Sequence, residues 1–266
     1  MAKKGNRIIT NFKKYRYLLS QLVLKDIKLK YRRSYLGIVW TLIEPLLTMI
    51  VLTMVFSAFL GRNGVADNLP FPLYILAGRL LYSFFSGATK GAMKSIRSNA
   101  AMIKKVYVPK YMYPLASILS NFLIFLISLI VLFGVAVALK VTPTWWMVMG
   151  IIPIIQLLLI CIGVGLVLAT LSVFFRDLEY LWGVALMLIM YTCAIFYEAE
   201  RLYKSGYGLL LDVNPIYGVI RNFRNCLSGA GFHVPSLIYC TAFGVVSIVI
   251  GAFLFYKKQD DFILNL

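Results

Sequence analysis

The stretch LGIVWTLIEPLLTMIVLTMVFSAFL, Leu36–Leu60, decides the fold. Glu44 is its only ionisable residue. A bilayer core of about 30 Å is crossed by roughly 20 mostly apolar residues in a helix, so this run reads as a membrane span. It is too long, and begins too late, for a signal-peptide core, and no cleavable leader is expected. Pro45 removes a backbone donor inside it and predicts a kink near the cytoplasmic side.

Working outward, five further stretches have the same character: Phe71–Thr89, Pro114–Leu139, Trp145–Phe175, Tyr180–Glu198 and Ser236–Tyr256. The expected fold class is an all-α polytopic membrane protein with six transmembrane helices. A membrane β-barrel would show alternating segments of about ten residues, whereas these runs are continuously apolar. Composition agrees. Of 266 residues 61% are hydrophobic and 14% charged, against about 45–50% and roughly 25% in a soluble domain. A soluble enzyme, a disordered chain and a disulfide scaffold are disfavoured. Cys161, Cys193, Cys226 and Cys240 show neither ligand nor disulfide spacing.

The net charge of +17 needs a location. Twenty of the 27 Lys and Arg residues precede the first span, lie between the second and third or the fourth and fifth, or follow the sixth. Six fall on the other side, and Arg79 lies within a span. Cytoplasmic loops carry the excess of Lys and Arg, so both termini are expected inside.

Three segments lie outside the spans. Residues 1–35 form a cytoplasmic N-terminus in which 8–31 read as an amphipathic helix. Ile8, Phe12, Tyr15, Leu18, Leu19, Leu22 and Val23 recur at three- and four-residue steps, and Lys and Arg fill much of the other face. Such a helix lies in the headgroup plane, drawn to anionic lipid. The loop 98–113 mixes basic residues with Met102, Ile103, Val106, Tyr107 and Val108, a set suited to docking on another protein. The outer stretch 199–235 is too long for a tight turn and too apolar for a linker. Tyr207–Leu211 and Ile216–Leu227, divided by Asn214–Pro215, read as two short helices dipping in from the outer side. The six-helix region is thus expected over 36–256, with a cytoplasmic tail at 257–266.

The chemistry inventory is thin. No Gly-x-x-x-x-Gly-Lys-Ser/Thr loop is present, so nucleotide phosphates are not held in that way. His233 is the one histidine, placed in an outer loop. No constellation for metal binding or nucleophilic catalysis is found, and the positive charge, lying beside spans, reflects topology rather than nucleic acid. The chain is expected to be no enzyme and to have no cofactor of its own. A separate subunit would supply the energy.

Polar residues inside spans are costly and face an interior or a water-filled cavity. Glu44 lies eight residues from the inner start of the first span and Arg79 ten from the inner end of the second. At about 1.5 Å per residue both sit roughly 12–15 Å deep. They are expected to form an ion pair or to be two neighbouring pore-facing groups, the alternative being separate snorkelling or water contacts. Trp40, Glu44 and Thr48 share a helix face at i, i+4 steps, as do Tyr74, Gly78, Tyr82 and Ser86. Tyr180, Met187, Tyr191 and Glu198 make a similar stripe on the fifth span. Aromatic faces with hydroxyl tips suit sugar rings. The candidate conduit-lining residues are therefore Trp40, Glu44, Thr48, Tyr74, Arg79, Tyr82, Tyr191 and Tyr197.

Leu22–Ser57 carries Asp26 in a basic helix, then Tyr31, Arg32, Ser34, Leu36, Gly37, Trp40 and Pro45. In this it resembles the start of bacterial polysaccharide-export permeases, the membrane subunits of type-2 ABC exporters for O-antigen, teichoic acid and capsule. NAAMIKKVYVPKYMYPLA (Asn99–Ala116), FFRDLEY (Phe174–Tyr180) and NPIYGVIRNFRN (Asn214–Asn225) extend the resemblance, in order, over nearly the whole chain. Arg79 departs from it, standing where relatives commonly carry an apolar residue.

The resemblance implies a homodimer in the bacterial cytoplasmic membrane, enclosing a conduit above two copies of a separate ATPase that binds ATP and Mg. It implies ATPase coupling through Asn99, Met102, Ile103, Lys104, Lys105, Val106, Tyr107 and Pro109, with Arg176 and Asp177 as a smaller contact. It places an outer gate in 199–235, with Asn214, Pro215, Tyr217 and Phe223. The implied substrate is a polyprenyl-diphosphate-linked polysaccharide whose diphosphate meets Arg32 and Arg33. A small-molecule, drug or lipid exporter is the alternative within this architecture, and a membrane-embedded glycan-lipid enzyme the alternative outside it.

Overall fold

The computed structural model describes residues 2–32, 34–60, 65–66, 69–105 and 108–262, so Arg33, Val106 and Tyr107 lie outside the described residues. Helix α1 (Ala2–Tyr31) leads through a 3-10 turn at Gly37–Val39 into α2 (Trp40–Leu60). A minimal antiparallel pair, Val65–Ala66 with Leu69–Pro70, precedes α3 (Phe71–Ser98) and α4 (Ala100–Lys105). Then follow α5 (Met112–Ala138), α6 (Trp145–Met149), α7 (Ile151–Phe174) and α8 (Leu178–Tyr191). Three short helices, α9 (Ala199–Lys204), α10 (Gly208–Asp212) and α11 (Pro215–Ser228), lead to α12 (Val234–Lys258).

Among the described residues, four helical stretches are long and apolar enough to cross a membrane: Gly37–Ala58, Met112–Ala138, Trp145–Phe174 and Val234–Asp261. Helix α3 has the length, at 28 residues, but carries Arg79, Lys90, Lys94 and Arg97. Its helix continues well past the predicted end at Thr89.

Helix α8 is shorter than the predicted span. It stops at Tyr191, where the sequence alone suggests helix to Glu198. The Thr192 hydroxyl donates back to the carbonyls of Leu188 and Ile189, and Ala194 takes a left-handed φ of 47°. That conformation is uncommon for a residue with a Cβ, and contacts from elsewhere in the chain hold it, as described below.

Pro45 leaves the carbonyl of Thr41, four residues back, without its helical donor. Ser128 of α5 supplies one, its hydroxyl donating to Thr41 O at 3.1 Å. A proline inside a membrane helix is tolerated when a neighbouring side chain satisfies the freed group in this way, and α2 continues unbroken through Pro45.

Helix α11 follows its sequence signals. The Asn214 side chain caps the start, accepting from Ile216 N at 3.0 Å, with Pro215 in the first turn. Gly229, at φ 78°, ends it in the left-handed conformation.

Three apolar clusters result among the described residues, the smallest being Ala194, Leu211 and Tyr217. The largest lies among α3, α5, α7 and α11. The second gathers Leu19, Leu22 and Val23 of α1 with Ile96, Ile103, Met112, Phe255 and Phe262. It fixes α1 and α4 to the ends of the long helices at the side predicted to be cytoplasmic.

Candidate functional site

At that side the helix ends are tied to one another. The Lys25 ammonium donates to the Asn99 side-chain oxygen at 2.7 Å, and Asn99 donates in turn to Ser95 O at 2.8 Å. Burial raises the Asp26 carboxyl from its ordinary value, and Lys25 opposes that shift. Glu179, at the start of α8, pairs with Lys94 at 3.1 Å and Arg97 at 3.3 Å. Arg97 Nε also donates to Ser172 O at 2.9 Å. The α7–α8 turn is thereby fastened to the end of α3, one residue from α4.

Helix α4 splits the predicted coupling residues by face. Ile103 is buried in the second cluster, while Met102, Lys104 and Lys105 are exposed. Pro109 is half-buried, and Arg176 and Asp177 are exposed in the α7–α8 turn. Arg32 is exposed beyond the end of α1.

Between α1, α2, α3 and α5 lies a polar cavity of about 350 Å³. Glu44, Thr48 and Arg79 line it, with Lys30, Lys90 and Asn121. Glu44 and Arg79 thus share one cavity, as their matched depths suggest, yet no ion pair joins them. The Tyr82 hydroxyl, also at its wall, donates to Leu186 O at 2.6 Å and braces α3 against α8. A second cavity of about 400 Å³ shares Lys30, Asn121 and Ile124 and continues toward Asn99.

Other candidate conduit residues fall into two groups. Trp40 and Tyr191 are exposed. They lie on α2 and α8, which also expose Leu47, Val51, Met54, Tyr180, Val184 and Leu188. Tyr74 is fully buried and supports structure. Its hydroxyl donates to Ala194 O at 3.0 Å and Tyr197 O at 2.9 Å. Tyr197 is half-buried and donates to the carbonyl of Tyr191.

The residue missed in the sequence is Arg224. Counted there among outer loop charges, it is 2% exposed. Its guanidinium sits 3.4 Å from the centre of the Tyr74 ring. It donates to Tyr74 O at 3.0 and 3.2 Å and to Ala194 O at 2.9 Å. Gly78 makes the room, since a Cβ there would lie 2.5 Å from Arg224 Nη2. The left-handed carbonyl of Ala194 is therefore gripped by two donors, Tyr74 and Arg224. Asn214 adds a third tie, its amide donating to Thr192 Oγ1 at 2.9 Å. Tyr217 and Phe223 of the predicted gate are buried, and Pro215 is half-buried. His233 caps α12, its ring nitrogen accepting from Ser236 N at 3.4 Å.

The family model described as ABC-2 type transporter matches residues 17–227. The chain is similar to the O-antigen export system permease protein RfbA of Myxococcus xanthus, 25% identical over 260 residues, covering 96% of this chain and 98% of that one. RfbA of Klebsiella pneumoniae is 27% identical over 253 residues, covering 92% and 95%. The polysialic acid transport protein KpsM of Escherichia coli is 21% identical over 271 residues, covering 98% of each.

Proposed function

The chain belongs to the ABC-2 type transporter family, and from that membership we propose that it is the membrane permease of an ATP-driven exporter. Its cargo is a polyprenyl-diphosphate-linked polysaccharide carried outward across a bacterial cytoplasmic membrane. The observation that carries this reading is the similarity to O-antigen and polysialic acid permeases over more than nine-tenths of the chain. A match of that extent takes in the spans, the loop 98–113 and the outer stretch 199–235 together.

In this reading α3 and α8 join the four long apolar helices to make six crossings, with both termini cytoplasmic. A second copy of the chain faces the exposed apolar sides of α2 and α8 across the conduit that the pair encloses. Trp40, Tyr180 and Tyr191 on those faces offer rings on which sugars slide, since stacking is less directional than hydrogen bonding. Helices α9 to α11 form the outer gate.

A separate ATPase dimer, binding ATP and Mg, docks on the exposed face of α4 and on Arg176 and Asp177. Movement of that turn reaches α8 through Glu179, and α3 through its partners Lys94 and Arg97. Arg32, exposed beyond the end of α1, and Arg33, the next residue in sequence, meet the incoming diphosphate, because charge-assisted Arg–phosphate bonds are short and strong.

Native purification followed by mass spectrometry tests the reading: two copies of this chain, two of an ATPase and a lipid-linked glycan are expected together. Met102→Asp should lower ATPase recovery about tenfold, the loss of roughly 1.4 kcal/mol from an apolar anchor. The thermal stability of the permease should be unchanged, because Met102 is on the exposed face. Recovery of neither ATPase nor glycan from the wild type would overturn the proposal.

A further inference from the structure

We infer that the cavity bounded by Arg79, Lys30 and Lys90 is an oxyanion site, holding a phosphoryl or carboxylate group of the transported molecule. The inference rests on the exporter reading above and adds the chemistry of one site along the path. Three cations line this cavity against one carboxylate, Glu44. None of the four has an ion-pair partner within 4 Å among the described residues. Arg79 is the telling member. It lies in a span, half-buried, and its one hydrogen-bond contact among the described residues is Met190 Sδ at 3.7 Å. A thioether is a weak acceptor, so most of the five guanidinium donors are left for something else. An arginine kept at membrane depth costs several kcal/mol unless it meets a partner or water, and such residues mark substrate paths. Arg224 shows the contrast within the same molecule, with its donors spent on carbonyls.

The lining is arranged along the helices. Arg79, Ser83, Ser86 and Lys90 recur at three- and four-residue steps and face the cavity from α3. From Arg79 to Lys90 is 11 residues, about 16 Å of helix axis, so Arg79 is the group that meets the oxyanion, and the exposed Lys30 and Lys90 attract it toward the cavity. Gly87 keeps the wall close, since a Cβ there would meet the Asn121 side-chain oxygen at 3.1 Å. The cavity volume of about 350 Å³ suits a diphosphate or one sugar residue rather than a folded chain. The adjoining cavity leads on toward Asn99 and gives the site an approach from the inner face. Two sources carry the same chemistry: the diphosphate of a lipid carrier, or an acidic sugar in the glycan.

Binding to the full-length permease in nanodiscs of zwitterionic lipid separates them. One arm uses undecaprenyl diphosphate. The other uses an oligomer of glucuronic acid, with a glucose oligomer of equal length as the neutral control. Arg79→Gln should weaken one of the two anionic probes at least tenfold and leave the neutral oligomer unchanged. Arg79→Lys should recover part of the loss, and Glu44→Gln should tighten the same probe at least twofold by removing a like charge. The affected arm names the source. If Arg79→Gln folds poorly, the other two variants still decide. Weaker anion binding in Glu44→Gln, or no anionic binding by the wild type, overturns the site, as does an equal loss of the neutral oligomer. A chain that exports glycan yet binds neither anion refutes this site alone, and one that binds an anion yet exports nothing refutes the exporter reading alone.

Discussion

Replacing Arg224 with Ala is expected to destabilise the protein by about 3 kcal/mol or more and to open the turn after α8. Two terms oppose each other. Removing a buried charge recovers its desolvation cost, which is several kcal/mol for an ion. Against that stand charge-assisted hydrogen bonds of about 1.5–3 kcal/mol each and a cation–π contact of about 2 kcal/mol when desolvated. The guanidinium has four donor contacts to the carbonyls of Tyr74, Ala194 and Ile195 and lies over the Tyr74 ring. The sum of contacts therefore exceeds the recovered desolvation, and truncation also leaves a cavity.

Substitution by Lys should be nearly as damaging although it conserves the charge. An ammonium on a flexible stem cannot bridge Tyr74 and Ala194 as the planar fork does. It leaves a buried charge with fewer partners, the costlier failure. Arg224→Met keeps volume without charge and should lose least. The structural readout is Cys193, now fully buried beside Ala194. Its maleimide labelling, located by mass spectrometry, should rise in the Ala and Lys variants while Cys161, buried in the core among α3, α5 and α7, stays protected. Wild-type stability in Arg224→Lys with Cys193 still shielded would show that the grip on Ala194 is not what holds the turn.

Arg224 also marks where the sequence stops being legible. The long apolar runs are visible in one dimension because length and hydropathy are local properties. The limits of α11 are equally visible, because Asn214, Pro215 and Gly229 act on their own backbone neighbours. The burial of Arg224 depends on Tyr74, 150 residues away, and no local signal distinguishes it from Arg221. The end of α8 is hidden for the same reason. CAIF is an apolar continuation after Thr192, and its left-handed turn falls on an alanine, held by Tyr74 and Arg224 from outside, with Asn214 tying the preceding Thr192. Glu44 and Arg79 are intermediate. Counting residues along two spans gives their depth, but only the placement of α5 and Lys30 around them makes a cavity rather than a pair. In α4, likewise, composition identifies an apolar and basic segment, while the division into buried Ile103 and exposed Met102 needs the cluster formed with α1.

The seam between α7 and α12 carries the second large expectation, and there a single methyl group decides the sign. Gly163→Ala should destabilise by about 2 kcal/mol or more in a detergent or nanodisc melt. Helix propensity predicts the opposite, because Ala is preferred over Gly by about 0.8–1.0 kcal/mol. Space overrules it. A Cβ at Gly163 would lie 2.2 Å from Ser247 Oγ, 2.5 Å from Ser247 C and 2.6 Å from Ile248 N. The serine hydroxyl could rotate away, but the two backbone atoms cannot. The helices must part instead, and overpacking of this kind costs typically 1–3 kcal/mol even where side chains can adjust. Gly251 repeats the approach from the other helix, since its Cβ would meet Gly163 O at 2.7 Å. Between membrane helices close backbone approach replaces the hydrophobic drive, so separation forfeits packing along the whole seam. The loss extends to the inner face, because α7 supplies Ser172 O to Arg97 and α12 supplies Phe255 to the cluster around Ile103. Gly134→Ala on α5 is the matched control. Nothing lies within 4 Å of its added Cβ, so propensity acts alone there and a gain of up to about 1 kcal/mol is expected. Equal shifts in the two variants would mean that α7 and α12 do not meet as closely as this.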